Sequence, residues 1–242
     1  MMILNDVCTV YWKEHREWVA AQRSTKSRWV TAGVLVAIVG GVLPYQLHTL
    51  WTTSVVSILI AMWVMFFRVT NTIADSIAGE RERHTLEALV ITPLPPLAIV
   101  AGKIAAAVRN TGPTMLVAMG VGLIASNWTR GAAPWHVYSL PVLIGIVLDG
   151  GLAGLVAGGV GVLISAHSRT ARQAQQTLSI LSFLLLIIPS LFTHALHVSL
   201  DSFLIPSHPG RLVAVLSLGL IAAAAGLVAL ISRCARSTGI RV

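Results

Sequence analysis

The stretch Ser76-Ile-Ala-Gly-Glu-Arg-Glu-Arg-His-Thr-Leu-Glu-Ala-Leu-Val-Ile-Thr-Pro-Leu94, with Gly102-Lys103 close behind it, is the densest block of charge in the chain. Glu80, Arg81, Glu82, Arg83, His84 and Glu87 crowd into about two helical turns, and long apolar runs stand on either side. Side chains of this kind are expensive inside a bilayer. The block therefore reads as a polar insert between two membrane-spanning segments, folded enough for something to dock on it.

Composition supports a membrane setting. Of 242 residues, 55% are apolar and 11% charged, and the mean hydropathy is +0.80. That is more apolar surface than a water-soluble globule of this length hides in one core. Six apolar runs, near the length a helix needs to cross the hydrocarbon, fall at 29–47, 50–67, 104–126, 140–165, 177–192 and 212–232. The expected fold is an all-α integral membrane protein, one domain over 1–242, with six transmembrane helices and both termini on the same side.

The first 28 residues are not a cleavable signal, because Asp6, Glu14, Glu17 and several basic residues stand where such a signal is apolar. Read as a helix, they place Leu4, Val7, Cys8, Tyr11, His15 and Trp18 on one face and Asp6, Lys13 and Glu17 on the other. This is the pattern of a helix lying in the membrane surface; a helix packed on another protein surface gives the same pattern. Basic residues gather at 13–28, 68–103, 169–172 and 233–241, against Arg130 and Arg211 on the opposite side. Positively charged loops stay cytoplasmic, so the termini and the charged insert are expected there. The net charge of +8 is thereby explained by topology and anionic lipid headgroups, with no nucleic acid implied. Cys8 and Cys234 fall on the reducing side and are too far apart in sequence for a metal or redox pair.

Three outer loops follow from this layout. The first is short and the second holds Trp128, Trp135 and Tyr138, aromatics suited to the headgroup level. The third, 189–210, is too polar for a crossing yet apolar enough for one or two short re-entrant or interfacial helices before span six.

If 78–90 is helical, Leu86, Leu89 and Val90 form an apolar strip, while Glu80, Arg81, Arg83, Glu87 and the Thr85 hydroxyl project elsewhere. Glu80 with His84, and Arg83 with Glu87, stand at i,i+4 spacing and support each other. Pro93, Pro95 and Pro96 then stop the helix, since proline donates no backbone hydrogen bond. Two readings remain open: a short stiff helix across the mouth of spans two and three, or a solvated loop whose charges only fix topology.

Gly79-Glu80-Arg81-Glu82-Arg83-x-Thr85-Leu86-Glu87, then Leu89-x-x-Thr92-Pro93-Leu94, then Ile99-Val100-x-Gly102-Lys103 resembles the signature of ABC-2 type permeases, the membrane subunits of one class of ATP-binding-cassette exporters. The resemblance extends to the interfacial N-terminal helix (1–28), the six spans and the structured outer segment. It implies a cytoplasmic coupling segment over 68–103, whose helix sits in a groove of an ATPase subunit and passes its closure to the spans. Glu80, Arg81, Glu82, Arg83, Thr85, Leu86 and Glu87 would be the transmitting surface, with Gly102 and Lys103 the hinge and anchor of span three. His84 departs from the pattern, standing where the family most often has glycine, and favours a continuous helix.

The resemblance further implies two ABC ATPase subunits carrying ATP and Mg, a second permease copy or a similar permease, membrane lipids around the assembly, and a bacterial or archaeal inner membrane. The chain itself has no nucleotide engine. Gly102-Lys103 is followed by Ile104 instead of Ser or Thr and lacks the upstream glycine of a phosphate-cradling loop. No cofactor is expected on it.

Within the spans, Asp149 lies well inside the fourth run, where an unpartnered ion costs several kcal/mol. It is either a functional carboxylate or a protonated or hydrogen-bonded group in a packed interface. Arg109 in span three is the nearest counter-charge by sequence, but depth arithmetic separates the two, and Arg109 is expected to snorkel. Gly150, Gly154 and Gly158 form a small-residue face for close helix packing or for a moving helix. In the third outer loop His194, His197 and Asp201 share one helical face near His208, a donor set for a metal or haem if an ion is present.

Neither a nucleophile elbow nor His-Glu-x-x-His occurs, which excludes an intramembrane protease of those types. A secondary transporter or channel would use Asp149 as its ion site, a haem-export permease would share the layout, and a non-transporting anchor would need only the insert. The expected function is the permease subunit of an ATP-driven exporter. Its path has few fixed charges, which suits amphipathic, lipid-like or drug-like cargo.

Overall fold

The computed structural model describes residues 2–24, 33–34, 36–42, 52, 56–82, 94–128, 136–168, 170–195 and 209–237. Of these, 94% are helical and none is in a strand. The elements are α1 (Met2–Ser24), a π-helical turn (Ala37–Val42), α2 (Val56–Glu82), α3 (Pro96–Trp128), α4 (Leu140–His167), α5 (Ala171–Ala195) and α6 (Pro209–Ser237).

α4 is the central helix, packed along α2 and flanked by α6, α3 and α5. It starts after Ser139, whose extended backbone leads into Pro141 in the first turn, where the missing N–H costs nothing. It ends at Ser168, whose backbone N–H and hydroxyl both donate to the Ile164 carbonyl. Its buried positions recur as Val142, Gly145 and Ile146, Asp149 and Gly150, Ala153 and Gly154, Ala157 and Gly158, Gly161 and Val162, and Ser165, the spacing of one helical face, with Gly159 buried beside it against Leu227 of α6. Lipid tails are as apolar as leucine, so close packing rather than water exclusion must join helices in a bilayer. The inward face of α4 is accordingly small. A Cβ on Gly158 would lie 2.6 Å from the Ile104 side chain of α3, and one on Gly154 would lie 2.9 Å from the Met65 methyl of α2.

Large apolar side chains stand on the outside instead: Leu143, Ile144, Val147 and Leu148 on α4, Ile180 and Phe183 on α5, Leu218 and Ile221 on α6. With 28 residues α4 is about 42 Å long, more than the roughly 30 Å of hydrocarbon. Among the described residues Val56–Glu80 and Leu140–His167 are long and apolar enough to cross a membrane, and α6 carries an apolar stretch over Val213–Ala229.

Two differences from the sequence expectation bear on function. The helix expected to end near 67 runs without a break to Glu82, so the first residues of the charged insert extend α2 and do not begin a separate helix. In the stretch expected as span one, the described residues include the π-helical turn, where Gly40 lets the chain approach the Ala118 carbonyl of α3: an added Cβ would sit 2.7 Å from that oxygen. The segment 189–210 is divided: its first residues continue α5 to Ala195, its last two open α6, and 196–208 lie outside the described residues.

Candidate functional site

The charged end of α2 is tied to four other helices. Lys103, in the first turns of α3 before its apolar run, reaches Glu14 Oε1 of α1 at 2.6 Å and Glu80 Oε1 of α2 at 2.9 Å. Its side chain is 3% exposed, while Glu14 is 21% and Glu80 19% exposed. Burial alone lowers the lysine's proton affinity, but attraction and hydrogen bonding to Glu14, then Glu80, outweigh it and hold Lys103 above its ordinary value. The ammonium is thus a fixed positive charge joining α1, α2 and α3.

α1 docks against the same part of α3. A Cβ on Gly102 would lie 2.7 Å from Val10 Cβ, so only glycine lets α1 seat this close. His15 Nδ1 and Asn110 Oδ1 are 2.8 Å apart about two turns further along α3. The inward face of α1 is therefore Val10, Tyr11, Glu14 and His15, and Cys8, expected on that face, is exposed. Val10 gives the true register, and Glu14, three to four residues on, was hidden by its charge.

The other two ties come from α4 and α5. Ser165 of α4, fully buried, donates its hydroxyl to the Ala74 carbonyl and accepts from the Ala78 N–H, both at 3.0 Å. Ala74, Ala78, Ala174 and Leu178 form a small apolar cluster of their own at this junction. Glu82 Oε1 accepts from the Ala171 N–H at 3.0 Å. Ala171 opens α5, where unpaired N–H groups and the helix dipole favour a carboxylate. Thr170 caps the same end by accepting from the Gln173 N–H.

Of the residues singled out in the sequence, Glu80, Glu82, Gly102 and Lys103 come together here. Arg81 is helical on α2. Arg83, His84, Thr85, Leu86 and Glu87 lie outside the described residues, as do His197, Asp201 and His208, and of His194 only its place in α5 is described. Among the described residues no group of three metal-ligating side chains occurs.

Asp149, Gly150, Gly154 and Gly158 lie apart, in the α4 core. Asp149 is about 24 Å along α4 from Ser165. It is buried, and its Oδ1 accepts from the Ser217 hydroxyl of α6 at 2.6 Å, whereas Oδ2 has no hydrogen-bond partner among the described residues. Arg109 is exposed on α3. Gly150 faces the Met115 sulfur at 2.8 Å from an added Cβ. The structure thus sets Asp149 in a helix–helix contact between α4 and α6.

Sequence reading missed Glu14, Asn110, Ser165 and Ser217. Each pairs across helices far apart in the chain, and their one local signal is a polar residue on an otherwise apolar or small inward face.

A search of curated proteins finds no match to the chain. A family model described as ABC-2 family transporter protein matches residues 43–218, which take in α2 to α5 and the start of α6. With both the all-helical bundle and this match in hand, the chain belongs to the ABC-2 transporter family, as a membrane-embedded permease component that works with ABC ATPase partners.

Proposed function

We propose that this chain is the permease subunit of an ATP-driven exporter in a bacterial or archaeal inner membrane, moving an amphipathic, lipid-like or drug-like substrate out of the cytoplasm or the inner leaflet. Two ATPase subunits supply ATP hydrolysis, and two permease copies, identical or similar, enclose the path between them. Six crossings with cytoplasmic termini place the charged insert against the ATPase, with α1 in the inner headgroup layer.

The observation that carries this reading is the junction at Ala74–Glu82. A load applied to the insert passes to α1 and α3 through Lys103, to α4 through Ser165, and to α5 through Glu82. A loop that only fixed topology has no use for four such ties. Arg83 and Glu87, beyond the last described residue of α2, are assigned to the ATPase contact, and Gly102 with Lys103 to the anchor of α3.

The test is reconstitution with an ABC ATPase that co-purifies with this chain. Arg83→Ala and Glu87→Ala are expected to leave membrane insertion intact while ATP hydrolysis loses its dependence on transported substrate. Full substrate-stimulated hydrolysis and transport in both variants would overturn the coupling role. Failure of any ATPase to co-purify in mild detergent would overturn the assignment as a whole.

A further inference from the structure

The part of α2 that precedes the charged insert has its own hydrogen-bond ladder invaded. Thr70 donates its hydroxyl to the carbonyls of Phe66 and Phe67, the Asn71 amide donates to Phe67 O, and the Thr72 hydroxyl donates to Arg68 O, all between 2.7 and 3.0 Å. Side chains bonding back to the i−4 carbonyl compete with the backbone and soften a helix locally. One turn further on, the intruder comes from another helix. The Ser165 hydroxyl contacts the Ala74 carbonyl and the Ala78 N–H, the two groups that an uninterrupted α-helix pairs with each other. A side chain inserted in the ladder is a recognised cause of bending.

We propose that Ser165 is a positioning residue that makes the Ala74–Ala78 turn of α2 a hinge, so that the charged insert swings against the packed span while staying bonded to α4. Above the hinge, Ile58, Val64, Met65 and Val69 are locked in the core. Below it, Glu80 and Glu82 hold α3 and α5. At the hinge itself α2 presents only the small side chains Ala74 and Ala78, which pack on Ala174 and Leu178 of α5, and Gly161 brings α4 close, an added Cβ there lying 3.0 Å from Ile73. A hydroxyl that can donate and accept at once lets the turn open without stranding a buried polar group.

The use of the hinge in transport rests on the exporter reading; its existence does not. Both are therefore tested separately. Hydrogen exchange of the amides across Thr72–Glu82 is followed in the purified permease in lipid nanodiscs, without ATPase. Ser165→Ala and Ser165→Val remove the competing hydroxyl and leave the Ala74 carbonyl and the Ala78 N–H to each other, so exchange there slows by about tenfold, the worth of one backbone hydrogen bond, whereas Ser165→Thr keeps the wild-type rate. Unchanged or faster exchange in the alanine and valine variants would show a simple clamp and overturn the hinge. With ATPase present, Thr and Val are the informative pair, because they share a shape and differ in the hydroxyl. Coupling kept in Ser165→Thr and lost in Ser165→Val supports the hinge as part of transport; equal coupling in both, with the exchange difference intact, removes it from transport.

Discussion

Replacing Lys103 by methionine keeps the length of the side chain and removes its charge. Glu14 and Glu80 then lose the nitrogen they both approach within 3 Å. The two carboxylates are left about 5 Å apart and repel by about 3 kcal/mol at an effective dielectric near 20. Water at their exposed edges screens part of this, and one of them can take up a proton. A net loss of about 2 kcal/mol in the docking of α1 follows, near a thirtyfold rise in the undocked population. Glu14→Gln is milder: the Lys103–Glu80 pair survives and an amide oxygen replaces one carboxylate oxygen, for about 1 kcal/mol or fivefold.

The readout is trypsin cleavage after Lys13 and Arg16, both exposed on the outer face of α1, in nanodiscs at fixed protease. Cleavage requires α1 to leave α3 and open locally, so its rate follows the undocked population. The expected order is Lys103→Met fastest, Glu14→Gln intermediate, wild type slowest. Equal rates in Lys103→Met and wild type, with helix content unchanged by circular dichroism, would refute the three-way clamp.

Other perturbations test the remaining contacts. Because the folded-state value of Lys103 is raised above the ordinary 10.5, the lysine's share of the docking energy is fully present below that value and is lost only as pH rises through the raised one. Cleavage of α1 should therefore show no lysine-dependent change between neutral pH and about 10; a break near pH 8 would contradict this. Gly158→Val forces atoms into Ile104 and should cost about 1–3 kcal/mol of thermal stability, and Ile104→Ala in the same chain should restore part of the loss. Asp149→Asn keeps an acceptor for Ser217 and should transport normally, whereas Asp149→Leu gives up the bond between α4 and α6 for about 1 kcal/mol; loss of transport in the asparagine variant would restore a direct role for the carboxylate. Glu82→Ala should loosen the start of α5 by a few tenths of a kcal/mol, visible as faster amide exchange at Ala171.

The sequence was legible where one face of one helix carries the information. The inward face of α4 follows from the spacing of Gly150, Gly154 and Gly158, and the charged block stands out against its apolar flanks. What joins the helices was not legible. Lys103 entered as an anchor through the family signature, but its partner Glu14 lies 89 residues away, on a helix whose face looked apolar without it. The i,i+4 spacing of Glu80 with His84 points to a local pair and gives no sign that Glu80 also meets Lys103 across helices, where a buried ammonium needs a carboxylate. Ser165 gave no more signal than any small residue at the end of a glycine-rich face.

The extension of α2 through Glu82 alters the mechanical picture as well. A separate rod across the mouth of the spans would pass force to them at its two ends. A continuous helix passes force along its axis, where the upper half of α2 is locked in a close-packed core that resists small displacements. Motion of the charged end must then be absorbed between the locked half and the ties at Glu80 and Glu82. That interval begins after Ile73 and holds the Ala74–Ala78 turn met by Ser165, so on the proposed coupling role bending there would cost less than shifting the packed half of the helix.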